Sequence, residues 1–440
     1  QNKQNSKDSN NYIISKIIFD LELETPIEKI LNENIQNQSE NNYYKYYCNE
    51  KLKNKKKNIL LSNLGYNFKR ITNWAYTNKY NCILLDFGDF KINFLKKYLF
   101  KILGIHFLNI KKVLDKNQSK IDLEIPKCIY KNKDFTPILV KKFEEIKIQV
   151  IDFVNQSSFL EDFFKQKNIS LIICNMSNNI AASYSEVGKL HNIKSLNVSH
   201  GTIAEAFNDY DKLYKKIIAE GVFSGAFTYF SLQSKITKKS VETHEPKGKL
   251  IETSNLIFAE DVKKSKNRNK ILYPVTMKNF ETIQYLGVEM FYEFLSNLKI
   301  LENISSENGL DIVVKLHPIV TNYTKDIEKI FPKLKFSKGE IKQELNESFV
   351  TINFSSTTIE DSLYCKVPVI LFDQWKRYRH CESTQDTQNG KIPIYYVNNK
   401  KDLIAAINTV EKKPNYDFNR FIYDGKSKEN ISRTLKNILY

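Results

Sequence analysis

The sequence predicts an α/β protein made of two Rossmann-like, doubly wound domains with a cleft between them. Its 440 residues are too many for one ordinary hydrophobic core, and 41% of them are hydrophobic, which suffices for two domains of comparable mass. From residue 170 onward, short apolar β-rich runs alternate with amphipathic stretches, which is typical of βαβ units around a parallel sheet. The polar run KKSKNRNK, Lys263–Lys270, separates two such series and is expected to be an exposed linker.

This linker sets the predicted domain boundaries. Residues 1–262 are expected to form an N-terminal domain with helical additions, and residues 263–425 a C-terminal domain. Residues 426–440 are expected to form a last helix that packs back on the first domain. Because ligands of open parallel sheets bind outside the carboxyl ends of the strands, the chemistry is expected in the cleft.

The order of elements follows from the apolar runs and the turn signals between them. The first series contains predicted strands at Ile59–Leu61, Cys82–Phe87, Ile169–Cys174 and Lys194–Val198, a long helix or helix pair at Pro137–Gln166, and a helix at Asn179–His191. The second contains predicted strands at Ile271–Val275, Asp311–Leu316, Phe349–Phe354, Pro368–Phe372 and Ile394–Val397, with helices at Thr282–Leu301, Tyr323–Ile330, Ser356–Tyr364, Lys401–Val410 and Ser427–Leu439.

Composition disfavours several classes of protein. The six cysteines are scattered without a CxxC pair, so a reducing compartment is favoured and no zinc site is readable. No apolar run approaches the roughly 18 to 20 residues that a membrane-spanning helix needs. The formal charge of +17 comes from lysines spread along the whole chain, a bias compatible with weak attachment to an anionic membrane surface. The absence of GxGxxG, Walker and HExxH patterns disfavours a dehydrogenase, an NTPase and a zinc protease.

A predicted strand that ends in VVKLHP provides the first candidate site. The strand delivers Lys315 and His317 to its carboxyl edge, where a histidine and a nearby lysine can hydrogen-bond and neutralise a phosphate. Pro318 stops the strand and fixes the loop. A structural histidine that caps the sheet explains the same pattern equally well.

The segment NFSSTTIED provides the second candidate site. Ser355, Ser356 and Thr357 follow a strand and open a helix, so hydroxyls and free backbone N–H groups converge on an anion site. Glu360 lies in the first helical turns, where its carboxylate can accept hydrogen bonds from a ribose diol. An alternative needs no ligand, because Thr357 and Glu360 have the spacing of a helix capping box.

The loop SHGT leaves a strand of the first domain and is expected to face the cleft. His200 has a pKa suited to taking a proton from an acceptor hydroxyl. Gly201, followed by Thr202, permits a tight turn or a close backbone approach to a ligand. Glu205 is a second candidate base near His200.

Two further patterns are interpreted as surface loops. Asp209 and Asp211 form a DxD, which can hold a divalent metal, but they lie in a polar stretch and a solvated loop is favoured. His380 lies between basic residues in WKRYRHCE, and a basic surface loop is favoured there too. No metal site is therefore expected.

The motifs KLHP, SST followed by an acidic residue and KVPVILFD, and the upstream SHGT resemble GT-B surface-polysaccharide enzymes over roughly residues 170–410. Two branches are similar. Bacterial sialyl- and Kdo-type transferases share the HP motif and a serine pair, and CDP-glycerol glycerophosphotransferases of the teichoic-acid type share HGT, HP and a serine pair. The resemblance implies a donor-binding C-terminal domain and an acceptor-side N-terminal domain.

The resemblance also implies roles for individual residues. His317 would contact the donor phosphate, and Ser355 and Ser356 would hold the phosphate or ribose of a cytidine nucleotide. In the teichoic-acid branch the histidine of HGT is the candidate base, here His200.

This chain also departs from both branches. The polyol branch has Asp and Tyr before its serines, where this chain has Asn353 and Phe354. The acidic pair before a glycine that the sialyltransferase branch uses as its base is not found.

The sequence thus predicts a cytoplasmic, metal-independent GT-B glycosyltransferase without a cofactor, using a nucleotide-activated donor in capsule, lipopolysaccharide or other surface-glycan synthesis. A CMP-sugar, such as a Kdo or sialic-acid-like donor, is favoured. The expected partners are this donor and a glycan or lipid-linked acceptor at the inner membrane face, and no nucleic acid. Three alternatives stay open: a CDP-glycerol-type polyol-phosphate transferase, a UDP-sugar epimerase, and a non-catalytic GT-B module that binds glycan.

Overall fold

A computed structural model gives the fold of most of the chain. It describes residues 43–48, 57–63, 68–87, 94–115, 127–130, 132–134, 136–177, 179–199, 212, 216, 219, 221–242, 244, 246–260, 268–275, 287–317, 324–354, 356–376, 379–412 and 414–440.

The first part of the chain alternates short strands with helices. The strands are β1 (Tyr43–Tyr47), β2 (Asn58–Leu61), β3 (Asn81–Asp86), β4 (Ile105–Asn109), β5 (Lys111–Asp115), β6 (Ile129–Tyr130), β7 (Lys133–Asp134), β8 (Ile169–Cys174), β9 (Ser195–Asn197), β10 (Tyr229–Leu232) and β11 (Lys249–Glu252). The helices are α1 (Lys69–Thr77), α2 (Phe94–Ile102), α3 (Thr136–Gln166), α4 (Asn179–Leu190) and α5 (Lys235–Glu242). Most of these strands are parallel, but β1 pairs with β5 and β6 with β7 in two small antiparallel sheets.

The second part repeats this alternation. Its strands are β12 (Lys270–Pro274), β13 (Ile312–Lys315), β14 (Lys335–Phe336), β15 (Ser348–Asn353), β16 (Val369–Phe372) and β17 (Ile394–Val397). Its helices are α6 (Gly287–Asn308), α7 (Thr324–Ile330), α8 (Ile341–Glu347), α9 (Thr358–Tyr364), α10 (Lys400–Glu411) and α11 (Ser427–Leu439).

Two parallel sheets organise these elements. The first has the order β11-β10-β9-β8-β2-β3-β4 and the second the order β14-β13-β12-β15-β16-β17. In each sheet the chain starts in the middle, builds out to one edge, returns to the middle and builds out to the other edge. This is the doubly wound Rossmann-like arrangement that the sequence predicts, and its strand order reverses between β2 and β8 and between β12 and β15.

The strands could be predicted from the sequence because both faces of each large sheet are covered by other residues. In the first sheet Ile59 and Leu61 belong to one core cluster and Leu60, between them, belongs to another. In the second sheet Ile271 and Leu272 divide in the same way. A strand buried on both faces is a continuous apolar run, and each predicted strand in these sheets matches an observed one to within two residues.

The two sheets are connected through α9 and the chain before β12. Ala259 donates its backbone N–H to Asp361 Oδ1 at 2.5 Å. The hydroxyl of Tyr364 donates to the backbone carbonyl of Gln233, and its ring stacks on Phe258 with centroids 6.2 Å apart. The apolar residues of α9 therefore share one core with the first sheet.

The last helix, α11, lies against the first sheet's layer. Lys194 Nζ donates to the carbonyl of Ile438 at 2.6 Å, and the hydroxyls of Tyr80 and Tyr440 lie 3.5 Å apart. Ser427, the first residue of the helix, donates its N–H to Glu260 Oε2 at 2.9 Å. In the part of the chain given above, no helix has both the length and the apolar character needed to cross a bilayer.

Candidate functional site

The carboxyl edge of the second sheet brings two of the predicted motifs close together. Lys315 is the last residue of β13, and His317 follows it, half-buried. Asn353 ends β15, and Ser356 precedes α9. Because β13 and β15 both pair with β12, the two motifs are separated by two strand spacings, about 10 Å. They lie on the two strands that flank β12 beside the point where the strand order reverses.

Several predicted residues lie outside the described part of the chain. They are Pro318, Ser355, His200, Gly201, Thr202 and Glu205, together with Asp209 and Asp211 of the DxD. Their predicted roles stay predictions.

Lys315 has a partner within the protein. Its ammonium donates to the backbone carbonyl of Gly339, in the segment between β14 and α8. Burial lowers the pKa of Lys315, and the negative charge of Glu344 opposes that shift. The lysine therefore places a positive charge near the sheet edge while it holds a neighbouring loop.

The turn between β15 and α9 is organised by a chain of side-chain hydrogen bonds. The Thr358 hydroxyl lies 2.8 Å from Asn353 Oδ1 and 3.0 Å from Ser356 Oγ, which also accepts the Thr358 N–H at 3.3 Å. Asn353 Nδ2 donates in turn to Thr351 Oγ1 at 3.0 Å. Asn353, which departs from the pattern of the polyol branch, thus has a structural role, because it fixes the turn that carries Ser356.

The predicted capping box is wrong. Thr357 precedes α9 with helical backbone angles, φ −61° and ψ −17°, and its side chain makes no capping hydrogen bond. Ser356 takes over this function through its contact with the Thr358 N–H. Glu360 is fully buried in the first turn of α9.

Sequence reasoning missed Asp361, the neighbour of Glu360. Its side chain is buried, and burial raises its pKa to about 6, although the Ala259 N–H and the charge of Arg70 oppose the shift. A carboxyl group whose pKa is raised in the folded state binds protons more tightly there than in the unfolded chain. The free energy of unfolding contributed by Asp361 therefore falls as pH rises from about 4 to about 6.

A second polar cluster, also missed, lies at the ends of β12, β16 and β17. Tyr396 donates its hydroxyl to Asp373 Oδ2 at 2.9 Å, and burial, followed by the charge of Asp373, raises the tyrosine's pKa. Gln374 donates to Asn297 Oδ1, whose amide donates to the Tyr273 hydroxyl at 3.2 Å. The sequence signal was present, since Asp373 directly follows the apolar run VPVILF.

In the first sheet, Ser62 and Asn175 meet where the strand order reverses. They follow β2 and β8, and Ser62 Oγ donates to Asn175 Oδ1 at 3.3 Å. These are polar groups at the carboxyl edge of the first sheet.

The residue before His200 is held by Gln233, a fully buried amide. Gln233 Nε2 donates to the Ser199 carbonyl at 2.6 Å, and Oε1 accepts the N–H groups of Leu256 and Ile257 at 3.1 and 3.2 Å. Since its backbone carbonyl also accepts the Tyr364 hydroxyl, one residue connects three segments. Nothing in the local sequence around Gln233 signals this role, because its partners lie 23 to 131 positions away.

His380 differs from its prediction as a surface residue. It is only 2% exposed and borders a cavity of about 1420 Å³. This cavity is lined mainly by the amino ends of β9 to β11 and by α5, and eight exposed lysines border it. It therefore does not coincide with the carboxyl edges where both candidate motifs lie.

Together, the described residues can bind an anion and polar hydroxyl groups. Lys315 and His317 supply positive or hydrogen-bonding groups, and Ser356 supplies a hydroxyl. Asp361 connects α9 to the chain before β12 through the Ala259 N–H. Among the described residues no cluster of three or more His, Cys, Asp or Glu side chains is placed to hold a metal ion.

Comparison with known proteins gives a match of fold. No family model and no curated protein matches the sequence. The co-structure of S. aureus MnaA with UDP superposes with a TM-score of 0.50 at 10% identity, covering 87% of this chain and 97% of that one.

Two other solved structures are similar over comparable lengths. The UDP-GlcNAc 2-epimerase of Methanocaldococcus jannaschii matches with a TM-score of 0.47 at 14% identity, covering 87% of this chain and 99% of that one. A UDP-glucosyltransferase of Polygonum tinctorium matches with a TM-score of 0.45 at 8% identity, covering 88% and 99%. At these identities the likeness concerns the fold alone. The chain thus has the fold of GT-B proteins, with two Rossmann-like domains.

Proposed function

We propose that the chain is a GT-B glycosyltransferase that binds a nucleotide-activated sugar at the carboxyl edge of the second sheet. The observation that carries this proposal is the strand order, in which Lys315 ends β13 and Asn353 ends β15, the two strands that flank β12. Doubly wound sheets bind nucleotides in the crevice at this position. A CMP-sugar of the Kdo or sialic-acid-like type is the favoured donor, because the motifs resemble enzymes that use cytidine nucleotides.

In the donor half, His317 contacts the phosphate, and Ser355, Ser356 and Thr357 contact phosphate or ribose. Lys315 adds a positive charge near the phosphate, and its ammonium also holds the loop at Gly339. Glu360 is fully buried, so its contact with a ribose requires the residues that cover it to move aside. Pro318 fixes the loop after His317.

In the acceptor half, His200 takes the proton from an acceptor hydroxyl, with Glu205 as the second candidate base. Gly201 and Thr202 shape the same loop. The acceptor oxygen attacks the anomeric carbon, the bond from that carbon to the phosphate oxygen breaks, and the nucleotide leaves with its electron pair. The growing negative charge on the phosphate is stabilised by His317 and Lys315, so the proposed reaction needs neither metal nor cofactor.

The acceptor is a glycan or a lipid-linked glycan at the cytoplasmic face of the membrane. Gln233 supports a site formed by the donor and acceptor halves together. It holds Ser199, the residue before His200, and it also contacts Tyr364 on α9 of the donor half.

Nucleotide release tests the proposal. The purified chain is incubated with CMP-sugars, UDP-sugars and CDP-glycerol in EDTA, with and without glycan acceptors, and free nucleotide is measured by chromatography. We expect acceptor-dependent release of CMP that is lost in His200→Ala and His317→Ala and kept in a control, His191→Ala, on the opposite sheet edge. Release of CMP from CDP-glycerol identifies a polyol-phosphate transferase. Conversion of a UDP-sugar without acceptor identifies an epimerase, and no turnover of any donor identifies a binding module.

A further inference from the structure

Helix α2 presents an apolar stripe to the solvent. Leu95, Tyr98, Leu99 and Ile102 are 71%, 57%, 59% and 56% exposed. Their spacing, i, i+3, i+4 and i+7, places all four on one face of the helix. Leu103, 47% exposed, extends the stripe beyond the helix. Scattered single apolar residues are normal on a surface, but a contiguous stripe marks an interaction site.

The outward orientation of this stripe is set by contacts on the opposite face. Lys97 Nζ lies 3.3 Å from Asp86 Oδ2, at the end of β3. Phe100 packs on the core, with its ring centroid 5.4 Å from that of Phe107 on β4. With Lys97 and Phe100 turned toward the sheet, a helix of 3.6 residues per turn must direct the stripe away from it.

The borders of the stripe are basic. Lys96 and Lys101 are exposed and lie on either side of it, and the sequence of α2, FLKKYLFKI, contains no acidic residue. Tyr98 adds an aromatic ring with a polar tip, the type of side chain that favours the boundary between hydrocarbon and water.

We propose that α2 docks the protein on an anionic lipid surface, with the stripe inserted among the acyl chains and the two lysines at the headgroups. An amphipathic helix with lysines beside an apolar face binds in this way. A second copy of the chain fits less well, because pairing two stripes brings the positive charges of both α2 helices together, and α2 contains no acidic residue. Charge complementarity therefore selects the lipid.

The docking surface lies near the carboxyl edge of the first sheet. The first turn of α2 contacts Asp86, the residue that ends β3 at the carboxyl edge of the first sheet. Binding through α2 therefore holds this edge close to the lipid surface. The proposal does not depend on the nature of the donor or on catalysis.

Vesicle flotation tests the proposal with the full chain. Phosphatidylcholine vesicles with and without phosphatidylglycerol are compared for wild type, the triple variant Leu95→Ser/Leu99→Ser/Ile102→Ser, and a control, Leu190→Ser/Ile330→Ser. The control removes two apolar side chains that are 76% and 60% exposed elsewhere. We expect wild type and control to bind anionic vesicles and the triple variant to bind at least about tenfold more weakly.

A charge variant separates the two components of binding. Lys96→Gln/Lys101→Gln should reduce binding to anionic vesicles about tenfold or more, and added salt should reduce wild-type binding in the same direction. Equal binding of wild type and triple variant overturns the proposal, as does a wild type that binds no vesicle. A dimer in light scattering that only the triple variant abolishes assigns the stripe to a second copy. If wild type binds no vesicle and the triple variant has a much lower melting temperature, the stripe instead makes a contact within the chain.

Discussion

Replacing Gln233 by leucine should destabilise the protein strongly, because this buried amide serves three backbone groups. Leucine has a similar volume but bonds none of them, so the Ser199 carbonyl and the N–H groups of Leu256 and Ile257 lose their partner. Each buried backbone group left without a hydrogen bond costs about 1–3 kcal/mol. With partial relaxation, we expect the free energy of unfolding to fall by about 3–6 kcal/mol.

Equilibrium urea unfolding, followed by circular dichroism and fluorescence, measures this change. The matched control is Gln343→Leu, an exposed glutamine on α8, which should change the free energy of unfolding by no more than about 0.5 kcal/mol. Because the described residues form two large parallel sheets, the midpoint of each transition is compared separately. A loss below about 1 kcal/mol, or a loss equal to that of the control, would refute the role given to Gln233.

Three further predictions concern the fold and the site. Between pH 4 and pH 7 the free energy of unfolding of wild type should fall by roughly 3 kcal/mol more than that of Asp361→Asn. The reason is that the pKa of Asp361, about 6 in the folded state, exceeds its pKa in the unfolded chain. Urea unfolding at several pH values measures this difference, and the same pH dependence in both proteins would contradict it. Gly248→Ala should cost about 2–4 kcal/mol, because the added Cβ would lie 2.2 Å from the Phe227 carbonyl oxygen. Gly309→Ala should lower the free energy of unfolding by only about 1 kcal/mol, since the added Cβ meets no atom within 4 Å and only the φ of +65° is unfavourable for alanine. Chemical unfolding in which Gly309→Ala is the more destabilised of the two variants would contradict this reasoning. Thr358→Val should cost about 1–2 kcal/mol and weaken nucleotide binding, because the turn that carries Ser356 loses its hydroxyl, whereas Thr358→Ser should retain both properties.

The alternation of strands and helices could be predicted because it depends on local patterns. Strands such as Ile169–Cys174 and Ile394–Val397 are buried on both faces, so each is a continuous apolar run with the same bounds in sequence and structure. β10 and β11 were not predicted, because YFSL and KLIE are segments of only four residues that contain polar side chains, and β11 is an edge strand.

The partners of individual side chains could not be predicted, because they come from distant parts of the chain. Thr357 and Glu360 have capping-box spacing, yet Asn353 and Thr358 fix that turn through hydrogen bonds across the strand end. His380 lies in a basic sequence, yet it is buried. Whether a residue such as His380 is buried depends on the tertiary structure and cannot be predicted from its residue type.

The central claim is that the carboxyl edge of the second sheet binds the donor nucleotide. Isothermal titration calorimetry of CMP, CDP, UDP and GDP in EDTA, on wild type, His317→Ala and the control His191→Ala, tests it most directly. The account predicts metal-independent binding, strongest for a cytidine nucleotide, that falls at least about tenfold in His317→Ala and is unchanged in the control. Absence of binding to all four nucleotides, or equal affinity in wild type and His317→Ala, would contradict it.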